Sequence, residues 1–209
     1  MSDTKEIKIT MADPTALGVF GLALITLAAS SSKLGLTTGS TYLMPWALCL
    51  GSAAQIWAAK ADFKRNNYFG AIVLGTFGLF WVAVALVWAL QNGIFGGLPE
   101  NADLRQFGWA CFAYAIFSIF FTIAAWEANK VFGAILTLIV VLLGALGAQL
   151  VWQKEYADFG AAMGKVAGVA ELGVAILGLY AAGALFLNSF FGRTMLPLGK
   201  PMGWIKKSV

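Results

Sequence analysis

Long apolar runs and short polar gaps alternate along this chain. The runs cover roughly residues 15–32, 43–59, 71–90, 107–126, 131–151 and 166–191, and the ionisable residues sit almost entirely between them. Each run is about as long as a helix needs, at ~1.5 Å per residue, to cross a hydrocarbon core of ~30 Å. In lipid the backbone has to satisfy its own hydrogen bonds, so runs this dense are expected to be helical. The pattern predicts an all-α integral membrane protein with six transmembrane helices over residues 13–194. A polar arm (1–12) precedes them and a basic tail (195–209) follows.

The gaps carry boundary signals. Asp13-Pro14 offers a side-chain acceptor at the N-cap and a proline at the first helical position. Ser30-Ser31-Ser32-Lys33 closes the first run, and Gly96-Gly97-Leu98-Pro99 reads as a turn. The connection from Glu127 to Lys130 is so tight that its flanking helices are expected to be antiparallel neighbours. Gly160, Gly164 and Gly168 recur at four-residue spacing, with Gly173, Gly178 and Gly183 further along and Gly144 and Ala148 in the fifth run. Small residues let helix backbones approach closely. Packing within one subunit, packing between subunits and a pore wall of small side chains all fit that pattern.

Composition and charge narrow the function classes. With 11% charged residues and a mean hydropathy of +0.79, the chain lacks an ordinary soluble surface. The short gaps leave no room for an extramembrane catalytic domain, and the N-terminal arm lacks a cleavable signal pattern. Lys5, Lys8, Lys60, Lys64, Arg65, Lys130, Arg193, Lys200, Lys206 and Lys207 lie at one set of helix ends. Only Lys33, Arg105, Lys154 and Lys165 lie at the other. The basic excess marks the cytoplasmic side, so a multi-pass protein of the inner or plasma membrane is expected, with both termini cytoplasmic. The cations are scattered over membrane-proximal loops, which gives no support to a nucleic-acid partner. Histidine is absent, which removes histidine-ligated haem, the usual zinc sites and the commonest proton shuttle. No cofactor is expected. Cys49 and Cys111 both fall within apolar runs and are expected as buried free thiols.

Few polar groups lie deep. Thr26, Thr76, Ser118, Thr122 and Thr137 are expected to bond back to their own helices. Gln55 and Asn188 cannot satisfy both ends of an amide that way, so each either faces a polar pathway or links helices. Glu171 is the one deep carboxylate, about five residues into the sixth run. Either it snorkels to headgroups or pairs with Lys165, or it binds protons or lines the outer mouth of a pathway. With no lysine or arginine deep in a run, a permeating anion would rely on hydroxyls, amides and backbone N–H groups. Trp46, Trp57, Tyr68, Trp88, Trp109, Trp126 and Trp152 fall near run ends, as an interfacial belt would. Phe77, Phe80 and Trp81 fall inside the third run, where they either pack a core or form a hydrophobic constriction. Nothing resembles a phosphate loop, a paired carboxylate site or a serine with a base, so an enzyme is not expected.

Four blocks, in order along nearly the whole chain, carry a resemblance. Asp13-Pro14-Thr15-Ala16-Leu17-Gly18 resembles the N-P-A-P-L-G signature of the acetate uptake transporters, or succinate–acetate permeases. Gly51-Ser52-Ala53-Ala54-Gln55 and Gly75-Thr76-Phe77-Gly78-Leu79-Phe80-Trp81 agree with it. So does the segment Leu187-Asn188-Ser189-Phe190-Phe191-Gly192-Arg193-Thr194-Met195-Leu196-Pro197-Leu198-Gly199, where bacterial members carry L-N-E-Q-F-G-R-T-V-L-P-I-G.

The resemblance implies six helices around a narrow pathway in each protomer, with protomers assembled as a homo-hexamer. It implies an apolar constriction at Leu22, Phe77 and Leu138, and a size-determining helix-six position at Gly178 near Tyr180. Asp13, Thr26, Gln55, Thr76 and Asn188 complete the expected lining. The expected function is a channel or transporter for acetate and related short carboxylates, succinate among them. Proton-coupled symport is the mechanistic rival; an ammonium or other small-solute transporter and a non-transporting membrane scaffold are the functional ones. Three departures stand out. Asp13 replaces the family's Asn, where a carboxylate would repel an incoming anion. Leu185 stands in place of an acidic residue, and Glu171 in place of a small one.

Overall fold

A computed structural model describes residues 11–205. Lys5, Lys8, Lys206 and Lys207, used above for orientation, lie outside the described residues. The described chain is all-helical: α1 (Thr15–Lys33), α2 (Leu43–Trp46), a π-helical segment (Ala47–Ala54), α3 (Gln55–Lys64), α4 (Tyr68–Gln91), α5 (Arg105–Trp126), α6 (Lys130–Trp152) and α7 (Ala157–Phe191). Five of these, α1 and α4–α7, are each long and apolar enough to cross a membrane. The sixth crossing is composite, with α2, the π segment and α3 running end to end.

The local causes are visible in the sequence. Asn67 Oδ1 accepts from the Gly70 amide at 3.3 Å and caps α4, and Asn129 Oδ1 accepts from Phe132 N at 2.9 Å and caps α6. Asp13 Oδ1 accepts from Thr15 N at 2.9 Å, with Pro14 now the residue just outside α1. Gly192 ends α7 in the left-handed region at φ 62°, a backbone conformation that glycine adopts without a Cβ penalty. The hydroxyls of Thr26, Ser118, Thr122 and Thr137 do bond carbonyls of their own helices, at 2.7–3.1 Å.

The spans form a ring. α5 packs on α6, α6 on α7, α7 on α1, α1 on the π segment and α3, and these on α4, which meets α5 only lightly. α1, α4 and α6 thus alternate around the ring, and all three line the inner cavity described below. Small residues make the close approaches. A Cβ on Gly178 would lie 2.9 Å from Ala23 Cβ across the α1–α7 contact, and one on Gly147 would lie 3.0 Å from the Gly108 carbonyl across α5–α6. These contacts all lie within one chain; Gly144 and Gly183 instead face open space.

Several expectations need correction. The last helix begins at Ala157 rather than near 166, and its first turn is level with the end of α6, Gly160 lying against Gln153. Cys111 is buried as expected, but Cys49 is exposed on the outside of the ring. Trp57 and Trp109 face outward as a belt would, at 72% and 62% exposure. Trp88 instead packs inward against Trp81, with ring centroids 6.2 Å apart. Trp126 packs over Gly133 and donates from Nε1 to Thr137 Oγ1 at 3.2 Å.

After α7 the chain folds back over the α5–α6 turn. Glu127 accepts from three consecutive amides, Gly203 (3.0 Å), Trp204 (2.7 Å) and Ile205 (3.2 Å), and Met202 N donates to the Trp126 carbonyl at 3.0 Å. Bonds to a charged acceptor contribute ~1.5–3 kcal/mol each at best, less where water competes. In the Glu127→Ala variant, amide hydrogen exchange at Gly203 and Trp204 is expected to quicken about tenfold or more while the core of α6 stays protected. Equal protection in variant and parent would mean that Glu127 does not hold this segment.

Candidate functional site

The ring encloses two cavities on one axis. The one nearer the termini, about 220 Å³, is walled by Thr15, Val19 and Leu22 of α1, Gln55 of α3, Val73 and Phe77 of α4, and Ile135 and Ile139 of α6. The one at the far side, about 130 Å³, is walled by Phe80, Trp81, Val84 and Trp88 of α4, Leu142, Leu143 and Leu146 of α6, and the pair Lys33 and Glu171. The two linings share no residue. On α4 the inner lining ends at Phe77 and the outer begins at Phe80; on α6 the change falls between Ile139 and Leu142. The barrier between them is therefore one helical turn thick, about 4.5 Å along the axis.

That turn is aromatic and buried. Phe77, 3% exposed, meets Phe121 of α5 edge-on at 6.1 Å, and Phe80 meets Tyr114 at 4.8 Å. Its geometry follows from the sequence of α4: Gly75 and Gly78 leave room for α3 and the π segment, and Phe77, Phe80 and Trp81 fall on the inward face. A Cβ on Gly78 would lie 2.8 Å from Ile56 Cγ1.

Of the residues singled out from the sequence, Leu22, Phe77 and Gln55 meet at the inner cavity. Gln55 is fully buried at the point where the π ladder returns to α spacing. Its Nε2 donates to the Gly51 carbonyl at 2.6 Å, and its Oε1 has no protein partner. What remains to the cavity is thus an acceptor. Thr26 is buried and turned to its own helix, and Thr76 is half-buried outside both linings. Leu138 lies against Gly173, where a Cβ on the glycine would stand 2.9 Å from Leu138 Cδ1; Ile139, one residue and ~100° further round α6, takes the cavity wall. Gly178 lies in the α1–α7 contact. Tyr180 donates to the Pro197 carbonyl at 2.8 Å. Asn188 accepts from Met195 N (2.6 Å) and Leu196 N (3.0 Å) and donates to Leu196 O (2.8 Å), so its amide holds the chain reversal after α7.

Lys33 is the functional candidate that sequence reasoning missed. As the last residue of α1 it looked like a loop cation, yet its Nζ donates to Glu171 Oε2 at 2.8 Å in the outer cavity wall. Glu171 is 2% exposed and pairs with Lys33 across the α1–α7 contact; Lys165, the partner considered from sequence, is exposed on α7. Ile135, Ile139 and Leu142 were also missed, although their i, i+4, i+7 spacing marks one face of α6.

Near the inner end, Arg65 bridges Asp13 (3.0 Å) and the buried Asp62 (3.2 Å). Partial burial alone would raise the Asp13 carboxyl, but hydrogen bonds from Arg65 and Thr15 outweigh it and hold the group below its usual range. Asp13 is therefore ionised at neutral pH with its charge largely offset by Arg65. The repulsion anticipated from replacing Asn by Asp is correspondingly reduced.

The sequence model of the GPR1/FUN34/yaaH family matches residues 3–200. The succinate-acetate/proton symporter SatP of Escherichia coli K12 is 22% identical over 191 residues, covering 91% of this chain and 96% of that protein. The acetate transporter protein patA of Penicillium expansum is 27% identical over 177 residues, 82% of this chain and 71% of that one. The solved structure of a bacterial acetate channel, SatP, superposes with a TM-score of 0.81 at 24% identity, over 91% of this chain and all of that one.

Proposed function

The chain belongs to the GPR1/FUN34/yaaH family, and on that premise we propose that this multi-pass membrane protein is a pathway for acetate and related short-chain carboxylates. The observation that carries the reading is the pair of apolar cavities separated by a single aromatic turn. Each cavity is sized for a small acid with a few waters, at ~30 Å³ per water. The solute would shed its water at Phe77 and Leu22, and that step sets the selectivity. An ionised carboxylate stripped of water is costly without a partner, and Gln55 Oε1, a buried atom of the inner wall with no protein partner, is an acceptor. It suits a solute that arrives with an O–H, which favours the protonated acid at the barrier. SatP is named a proton symporter in one relative and an acetate channel in the solved structure, and proton-assisted passage through a channel-like path accommodates both descriptions.

The membrane side follows from charge. Among the described residues Lys60, Lys64, Arg65, Lys130, Arg193 and Lys200 lie at the end bearing the termini, and Lys33, Arg105, Lys154 and Lys165 at the other, which supports cytoplasmic termini. The outward apolar side chains of α5, Trp109, Ile116, Phe117 and Phe120 among them, suit lipid or neighbouring protomers of a homo-hexamer. Transport rather than catalysis is the activity. The test is [14C]acetate uptake into proteoliposomes with and without an imposed pH gradient, against protein-free liposomes, with succinate, lactate and ammonium as competitors. Uptake no greater than in the protein-free control, with folded protein confirmed, would sink the reading.

A further inference from the structure

The outer cavity holds one cation and one anion, bonded to each other in a wall that is otherwise apolar but for the Gln91 amide. Lys33 Nζ stands 2.8 Å from Glu171 Oε2; the Glu171 side chain is 3% exposed and that of Lys33 20% exposed. Its neighbours in the lining are Phe80, Trp81, Trp88, Leu142 and Leu143. A pair in such a wall holds together because neither charge has water enough to stand alone. The same logic lets another carboxylate take Glu171's place beside Lys33, provided Glu171 gives up its charge.

We propose that Lys33 and Glu171 form a carboxylate–proton exchange site at the outer mouth, where an incoming carboxylate replaces Glu171 as the partner of Lys33. This rests on the carboxylate-transport reading above. The step balances in charge and protons. Glu171 takes a proton from outer water and releases Lys33; the substrate carboxylate binds the freed ammonium. Transfer of the Glu171 proton to the substrate oxygen then leaves a neutral acid, and the Glu171 carboxylate returns to Lys33. A free glutamic acid side chain and a short carboxylic acid have similar basicity in water, and each takes the same place beside Lys33, so the transfer is nearly balanced in energy. The neutral acid is the species that the aromatic turn admits at least cost and that Gln55 Oε1 can accept from.

Other titratable groups around the pair are accounted for. Lys165 of α7 is exposed, Cys111 and Tyr114 of α5 are uncharged thiol and phenol, and Cys49 of the π segment faces outward. α4 contributes only the amide of Gln91, and the outer half of α6 only that of Gln149. On the loop before α5, Asp103 and Arg105 bond each other at 2.8–3.0 Å, which holds the Asp103 carboxyl down at about 2. Lys154 and Glu155 are exposed on the loop before α7.

The test compares the parent, Glu171→Gln, Lys33→Gln and the Lys33→Gln/Glu171→Gln double variant in two assays. In proteoliposomes, parent uptake is expected to rise as the outer pH falls. Glu171→Gln, which keeps a hydrogen-bond acceptor for Lys33, should flatten that profile and lower the apparent KM for acetate at pH 7 roughly threefold. Lys33→Gln should raise that KM. In detergent, acetate titrated against chloride at equal ionic strength should raise the thermal midpoint of Glu171→Gln at pH 7, of the parent only at acidic pH, and of the double variant at neither. Parent uptake with an unchanged pH profile in folded Glu171→Gln would overturn the exchange site and leave the transport reading standing. Absent parent uptake would overturn the transport reading, and the titration would still decide the site: equal midpoints with acetate and chloride in every variant would reject it.

Discussion

Valine in place of Gly21 is expected to leave no folded protein. At this position the backbone of α1 lies directly on the π segment: a Cβ would fall far inside van der Waals contact with the Leu50 carbonyl oxygen and 3.2 Å from Ala54 Cβ. A carbonyl in a helix cannot swing away as a flexible side chain can, so α1 must retreat as a body. It is not free to do so, because Ala23 is lodged against Gly178 of α7 and a Cβ on Gly18 would already stand 2.9 Å from Ala58 Cβ. Overpacking at three linked contacts places the cost at about 4 kcal/mol or more, in the range reserved for severe defects. The measurement is size-exclusion chromatography of detergent-solubilised protein, where the monodisperse peak should disappear. Gly183→Ala is the control. Nothing lies within 4 Å of a Cβ there, and the peak should be retained. A monodisperse Gly21→Val protein would mean that α1 and the π segment do not touch as described.

Phe77→Ala carries the second large effect, on transport rather than folding. Its ring forms the floor of the 220 Å³ cavity and rests edge-on against Phe121. Because the barrier is one turn thick, removing this ring joins the two cavities with no second layer behind it. Acetate uptake is expected to rise about tenfold, equivalent to ~1.4 kcal/mol off the barrier, and larger carboxylates excluded by the parent should enter. The lost packing costs stability, about 3 kcal/mol by analogy with buried phenylalanines in soluble cores, so uptake must be normalised to folded protein. Unchanged uptake and unchanged size exclusion would make Phe77 a packing residue only. Phe77→Trp should act in the opposite sense by filling the turn further.

The sequence determined the crossings. Run length and the demand that backbone groups bond internally are local properties, and six apolar runs could be counted without knowing where any helix lies. The Asn67 and Asn129 caps and the tight α5–α6 turn belong to the same class, since each depends on residues within a turn of one another. Family membership was also readable, from four short blocks that keep their order.

What only the tertiary structure decided was which face of each helix meets which neighbour. Every span is apolar all round, so hydrophobic periodicity hardly distinguishes lipid from cavity, and one residue of register separates Leu138 against Gly173 from Ile139 in the cavity wall. Asn188, deep and polar, read equally well as pathway or glue until its amide was seen bonded to Met195 and Leu196. The Lys33–Glu171 pair joins residues 138 positions apart. Such a contact is set by the closing of α1 on α7 through Gly168 and Gly178, and no local signal in either segment encodes it.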